Sequence, residues 1–167
     1  TANALTQLAR EVRVDLARGL HNLALHRAEA GDLSGAINAG RLLWARHGED
    51  SDPEIRDAVA RGQRNLAIDQ AADQDLPGAI ETGQRLVDRF GADQTPGVRA
   101  AVSGAMVNLA DHLAQCGRLP EAIAAGERLI ALFGADAEAS IVESVERGRA
   151  DLEGRRVQSD PEGPQTL

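Results

Sequence analysis

The chain has 167 residues, a formal net charge of −8 and a pI near 5.0. An acidic balance of this size argues against general affinity for nucleic acid phosphates, and no apolar run approaches the roughly 20 residues that span a bilayer. A single cysteine, Cys116, excludes an internal disulfide and fits a reducing, cytoplasmic setting.

Aromatic residues make up 2% of the chain and Tyr is absent, so the core has to be built from Ala, Leu, Val and Ile, which suits closely packed helices. Leu5, Leu8 and Val12 recur at helical spacing and predict one long helix from Ala2 to Ala30. Gly31-Asp32 turns the chain into a second helix that stops at Gly48. Asp52-Pro53-Glu54 opens a third: Asp caps, Pro suits the first helical position, and Glu favours the positive end of the dipole. Ile55, Val59 and Leu66 carry this helix to about Ala72, where Asp73-Gln74-Asp75 breaks it. A fourth helix begins at Leu76, with Asp75 as its cap; it carries Ile80, Leu86, Val87 and Phe90 and stops at Gly91. The next pair turns at Gly117-Arg118 and stops at Gly134. A last helix, from near Asp136 to about Arg155, is rich in charge: Glu143, Glu146, Arg147, Arg149 and Glu153. Residues 156–167 are polar, with Pro161 and Pro164, and are expected to form a disordered tail. A first residue of Thr rather than Met points to a trimmed chain.

These elements repeat. Asn22-Leu23-Ala24 returns as Asn65-Leu66-Ala67 and Asn108-Leu109-Ala110, each copy 43 residues after the last. Val12, Ile55, Val98 and Ile141 share a column, as do Leu16, Val59, Val102 and Val145, and Leu23, Leu66, Leu109 and Leu152. Ala36-Ile37, Ala79-Ile80 and Ala122-Ile123 form another, followed by Leu43, Leu86 and Leu129. A fixed period near 40 residues marks a stacked array, in which one unit cannot bury its apolar face alone. The expected organisation is one domain over 1–155, with units at about 12–50, 53–93 and 96–135 and a capping helix over 136–155. Gly40, Gly83 and Gly126 fall in phase inside the second helix of each unit. Glycine there costs about 1 kcal/mol relative to Ala, so three in register point to close approach by a neighbouring backbone. All 18 basic residues are Arg, as a GC-rich bacterial coding sequence would give; selection for bidentate anion binding is the alternative.

The columns resemble tetratricopeptide repeats. The motif of a large apolar residue, a small one, Gly at the turn, an apolar residue, Ala and another small position is matched in order by Leu23, Ala24, Gly31, Leu33, Ala36 and Leu43 in the first unit. It continues as Leu66, Ala67, Gln74, Leu76, Ala79 and Leu86, then as Leu109, Ala110, Gly117, Leu119, Ala122 and Leu129. The period exceeds the family's usual length of about 34 residues and is similar to the long-helix variety of kinesin light chains and bacterial regulatory proteins. The aromatic residues that usually fill the helix pair are missing; Phe90 and Phe133 close the second helices, with His47 at the same register. The resemblance implies an all-α, right-handed α-solenoid of three helix-turn-helix repeats plus a C-terminal capping helix. It implies a non-catalytic scaffold that holds a peptide or protein segment on a concave face lined by the first helix of each pair.

On that face the resemblance sets Arg18, His21, Asn22 and Leu25 from the first unit, Arg61, Arg64, Asn65 and Ile68 from the second, and Asn108 and Asp111 from the third. Asn offers a donor and an acceptor to an extended backbone. Arg18, Arg61 and Arg64, with His21, make a basic cluster suited to carboxylates. Interhelix bonding by the Asn column and an ordinary solvated face for the arginines are the competing readings. The family's chaperone clamp for terminal carboxylates is not implied, because only Asn65 matches it, while Leu25, Gly104 and Asn108 do not.

His26, Asp69 and His112 share a column, yet packed helices lie about 8–10 Å apart and a metal holds its ligands at roughly 2 Å. No metalloprotease, phosphate-loop or nucleophile motif occurs. Glu49, Asp50 and Asp52 read as solvated caps. Neither catalysis nor a cofactor is expected. Two alternatives to the scaffold reading stand. Leu5, Leu8 and Val12 need cover, which an upstream helix or a homodimer would supply, and the chain also fits a sensor or adaptor part of a larger bacterial regulatory protein.

Overall fold

The computed structural model describes residues 2–159, which form seven α-helices and no strand. They are α1 (Ala2–Glu29), α2 (Leu33–His47), α3 (Pro53–Ala72), α4 (Leu76–Phe90), α5 (Pro96–Gln115), α6 (Leu119–Phe133) and α7 (Ala139–Ser159). Each helix packs on its neighbour in the chain, and α1, α3, α5 and α7 also pack successively on one another. The core joins Ile55, Val59, Leu86, Val98, Val102, Leu129 and Ile141, all essentially without solvent exposure.

The last helix departs from its expected bounds of 136–155. Asp136 stays in the loop, where its carboxylate accepts the Glu138 N–H and pairs with Arg99. At the other end, buried Leu152 and Arg155 hold the helix down; Arg155 pairs with Asp111 of α5, and Arg156 with Glu127 of α6 at 2.6 Å. The chain therefore stays helical through Ser159, which corrects the expected start of the tail at 156; residues 160–167 lie outside the described residues.

The turn inside each helix pair is the same. The amides of Asp32, Asp75 and Arg118 reach back to the carbonyls of Arg27, Gln70 and Leu113. This six-to-one closure needs a left-handed residue, supplied by Gly31 (φ 79°), Gln74 (φ 67°) and Gly117 (φ 72°). Gly48, Gly91 and Gly134 do end the second helices, but in right-handed geometry, donating to the carbonyls of Trp44, Val87 and Ile130.

The in-phase glycines make room for side chains rather than for a neighbouring backbone. A β-carbon on Gly40 would lie 3.1 Å from Leu66 Cβ; on Gly83 and Gly126 the nearest atoms belong to Leu109 and Leu152. The reverse also holds. A β-carbon on Gly62 would overlap the Leu43 Cδ2 methyl, and one on Gly148 would overlap that of Leu129. The α2–α3 and α6–α7 junctions are thus reciprocal exchanges, with a leucine of each helix seated on a glycine of the other, while α4–α5 keeps the Gly83–Leu109 half.

A second periodic device is electrostatic. Arg13, Arg56 and Arg99 pair with Asp50, Asp93 and Asp136, and these carboxylates accept the amides of Asp52, Thr95 and Glu138. Arg56 and Arg99 also lie over the rings of Phe90 and Phe133, at 5.9 and 5.0 Å. Asp50 and Asp52 are therefore not merely solvated caps: Asp52 both caps α3 and pairs with Arg10.

Candidate functional site

Two adjoining cavities open on the side of the molecule built by the first helices. The central one, about 370 Å³, is lined only by residues of α1, α3, α5 and α7, among them His21, Arg61, Arg64, Asn65, Gly104 and Arg147. Its neighbour, about 790 Å³, takes in Arg18, Asn22, Leu25, Glu54 and Asp57 and shares His21, Arg61 and Gly97 with the first. Helix spacing brings these side chains together: Arg18, Arg61, Gly104 and Arg147 are one column, and His21 and Arg64 belong to the next.

The expected basic cluster divides in two. Arg18 pairs with Glu54, which also takes Arg10 at 2.9 Å, and Arg61 pairs with Asp57 at 2.9 Å. Their charge is met locally, so the larger cavity is balanced. Arg64 is different. It is half-buried, its Nε has no hydrogen-bond partner, and among the described residues no carboxylate pairs with it. Burial, and then the charge of Arg147, lower the Arg64 guanidinium below its ordinary value. Two cations that repel each other thus line the central cavity.

Gly104 makes this possible. A β-carbon there would stand 2.7 Å from Arg64 Nε, so the missing side chain of α5 is the space into which Arg64 extends. Glu143 is the acidic residue of α7 on the cavity wall; it is exposed and forms no ion pair among the described residues. His21 has a buried Nδ1 without a partner. Burial first, and Arg61 second, hold its imidazole below the usual value against a weaker opposing pull from Asp57. It is therefore neutral at neutral pH.

The remaining expected residues fare unevenly. Asn22 and Asn65 line the cavities, whereas Asn108 is half-buried with an unpartnered Nδ2 and lines neither. Among the described residues, Asn22, Asn65 and Asn108 show no interhelix side-chain hydrogen bond. Leu25 borders the larger cavity. Ile68 is exposed and borders neither, and Asp111 is taken by Arg155. Arg147 was missed as a site residue, although its place in the Arg18 and Arg61 column carried the signal.

Elsewhere, His112 and Asp69 are buried; burial lowers the imidazole and raises the carboxyl. Among the described residues no three His, Cys, Asp or Glu side chains gather to hold a metal ion, and no helix is long and apolar enough to cross a membrane. No family model matches the chain, and comparison with curated proteins and with solved structures returns no match. Any assignment to a family thus rests on the repeat columns alone.

Proposed function

We propose that this chain is a tetratricopeptide-like right-handed α-solenoid, acting as a non-catalytic interaction module that binds a carboxylate-bearing protein segment along its first-helix groove. One observation carries the reading: Arg64 and Arg147 line the same central cavity and repel each other, and neither has an acidic partner among the described residues, in a protein of net charge −8. Guanidinium forks take carboxylates in bidentate geometry. A bound carboxylate would relieve the repulsion between the two cations and provide the partner that Arg64 Nε lacks. Asn65, beside Arg64, would hold the main chain of the same segment. A cytoplasmic setting, consistent with the single free Cys116, belongs to this proposal.

The test is a titration by fluorescence anisotropy with a labelled Glu-containing decapeptide and its Gln counterpart. The Glu peptide binds, the Gln peptide binds at least tenfold more weakly, and Arg64→Gln with Arg147→Gln removes the difference. Equal binding of both peptides, or a double variant that still discriminates between them, rejects the proposal.

A further inference from the structure

The first helix carries an unused half of the junction that the molecule builds between its units, in full at α2–α3 and α6–α7. At α2–α3, Leu66 sits on Gly40 and Leu43 on Gly62; at α6–α7, Leu152 sits on Gly126 and Leu129 on Gly148. At α4–α5, Leu109 sits on Gly83, and Ala105 takes the place of the second glycine in register. The glycine-leucine half on the first-helix side is therefore Gly62 and Leu66, or Gly148 and Leu152. Their equivalents on α1 are Gly19 and Leu23.

On α1 this half stands open. A β-carbon on Gly19 would meet nothing within 4 Å. Leu5, Leu8, Val12, Leu16 and Leu23 are all exposed, between 43% and 69%. At about 100° per residue these side chains fall with Gly19 on one side of α1, centred roughly 130° from the buried Val14, Ala17, Leu20 and Ala24. The stripe is thus a separate face, in the register of a helix junction.

We propose that this stripe docks an amphipathic helix of a partner polypeptide that presents glycine three residues ahead of leucine and lies antiparallel to α1. The internal junctions define that occupant. In each, the covering helix reads glycine, two residues, leucine: Gly40 and Leu43, Gly83 and Leu86, Gly126 and Leu129. The partner's glycine would receive Leu23, and its leucine would fill the notch at Gly19. A second copy of the chain fits poorly. Its three helices of this pattern are covered by its own α3, α5 and α7, and α1 against α1 would set leucine rows together with no complementary Gly-x-x-Leu helix.

The probe is a synthetic peptide copying residues 33–47, stapled between the exposed positions of Arg41 and Ala45 because an isolated helix of this length is marginal in water. It is titrated into the full chain by isothermal calorimetry, and light scattering reports the state of the protein. Saturable binding is expected, weakened at least tenfold by Leu16→Glu or by Gly19→Leu in the protein, and equally by Gly40→Leu in the peptide. Both protein positions are exposed, so the variants fold; their circular dichroism melts verify this. Absence of saturation up to about 1 mM, the weak end of specific affinity, overturns the proposal. Binding insensitive to all three substitutions also overturns it. So does a dimer of the free protein that Leu16→Glu dissociates, which would assign the face to a second copy. Binding of the acidic decapeptide at Arg64 and Arg147 is unaffected by Leu16→Glu, so the two sites fail or hold separately.

Discussion

The helices α1 and α3 carry the same face in the same register and meet opposite fates. Val12 is 58% exposed where Ile55 is fully buried, Leu16 is 44% exposed where Val59 is fully buried, and Leu23 is 43% exposed where Leu66 is 1% exposed. The side chains are alike; the difference is the helix in front. α2 covers α3, whereas no described helix covers that face of α1. A repeat column therefore fixes what a face is made of, and the neighbour fixes whether it is core or surface.

The sharpest way to break this comparison is to place one charge in both settings. Val59→Asp strands a carboxylate in the core and should cost on the order of 4 kcal/mol or unfold the protein, while Leu16→Asp should stay within about 1 kcal/mol. Urea denaturation reads both, and comparable losses would refute the assigned burial. Next in size is the glycine pair. Gly83→Leu drives a side chain into Leu109 and should cost about 3 kcal/mol by overpacking. Gly19→Leu meets open space and should gain up to about 0.7 kcal/mol of helix propensity. An unchanged melting temperature for Gly83→Leu would remove the packing role of that column. The smallest contrast is electrostatic. Arg56→Gln leaves Asp93 buried with only the Thr95 amide as partner, costing on the order of 2 kcal/mol. Arg13→Gln, in a looser and more exposed pair at 3.6 Å, should cost under about 1 kcal/mol. Equal losses would mean that the arginine column contributes uniformly, whatever its burial.

Much of this architecture was legible because the signals are local. Asp52-Pro53-Glu54 and Asp75 mark helix starts, and the extents of α3 and α4 follow from them and from Gly91. Other features depend on what a residue meets in space. Gly62 and Gly148 share a column, but a helical glycine explains itself only when the Leu43 and Leu129 methyls are seen against it. The Arg13, Arg56, Arg99 column was present in the sequence, as was the matching Asp column, and neither implied the other until a turn brought them together. Asp136 was mistaken for a helix start because Asp commonly caps, whereas here Arg99 and the Glu138 amide hold it in the loop. The groove was anticipated as a basic strip. Neutralisation of Arg18 and Arg61 by Glu54 and Asp57 concentrates its free charge on Arg64 of α3 and on Arg147 of α7, beyond α5.

That last division is the most direct point of attack on the functional claim. Nitrogen-15 spectra of the arginine Nε–H groups, recorded while the Glu-containing decapeptide is added, separate the four side chains in one titration. The account predicts saturable shifts for Arg64 and Arg147, with Arg18 and Arg61 held in place by their own carboxylates. Shifts confined to Arg18 and Arg61, or none at any of the four, would contradict it.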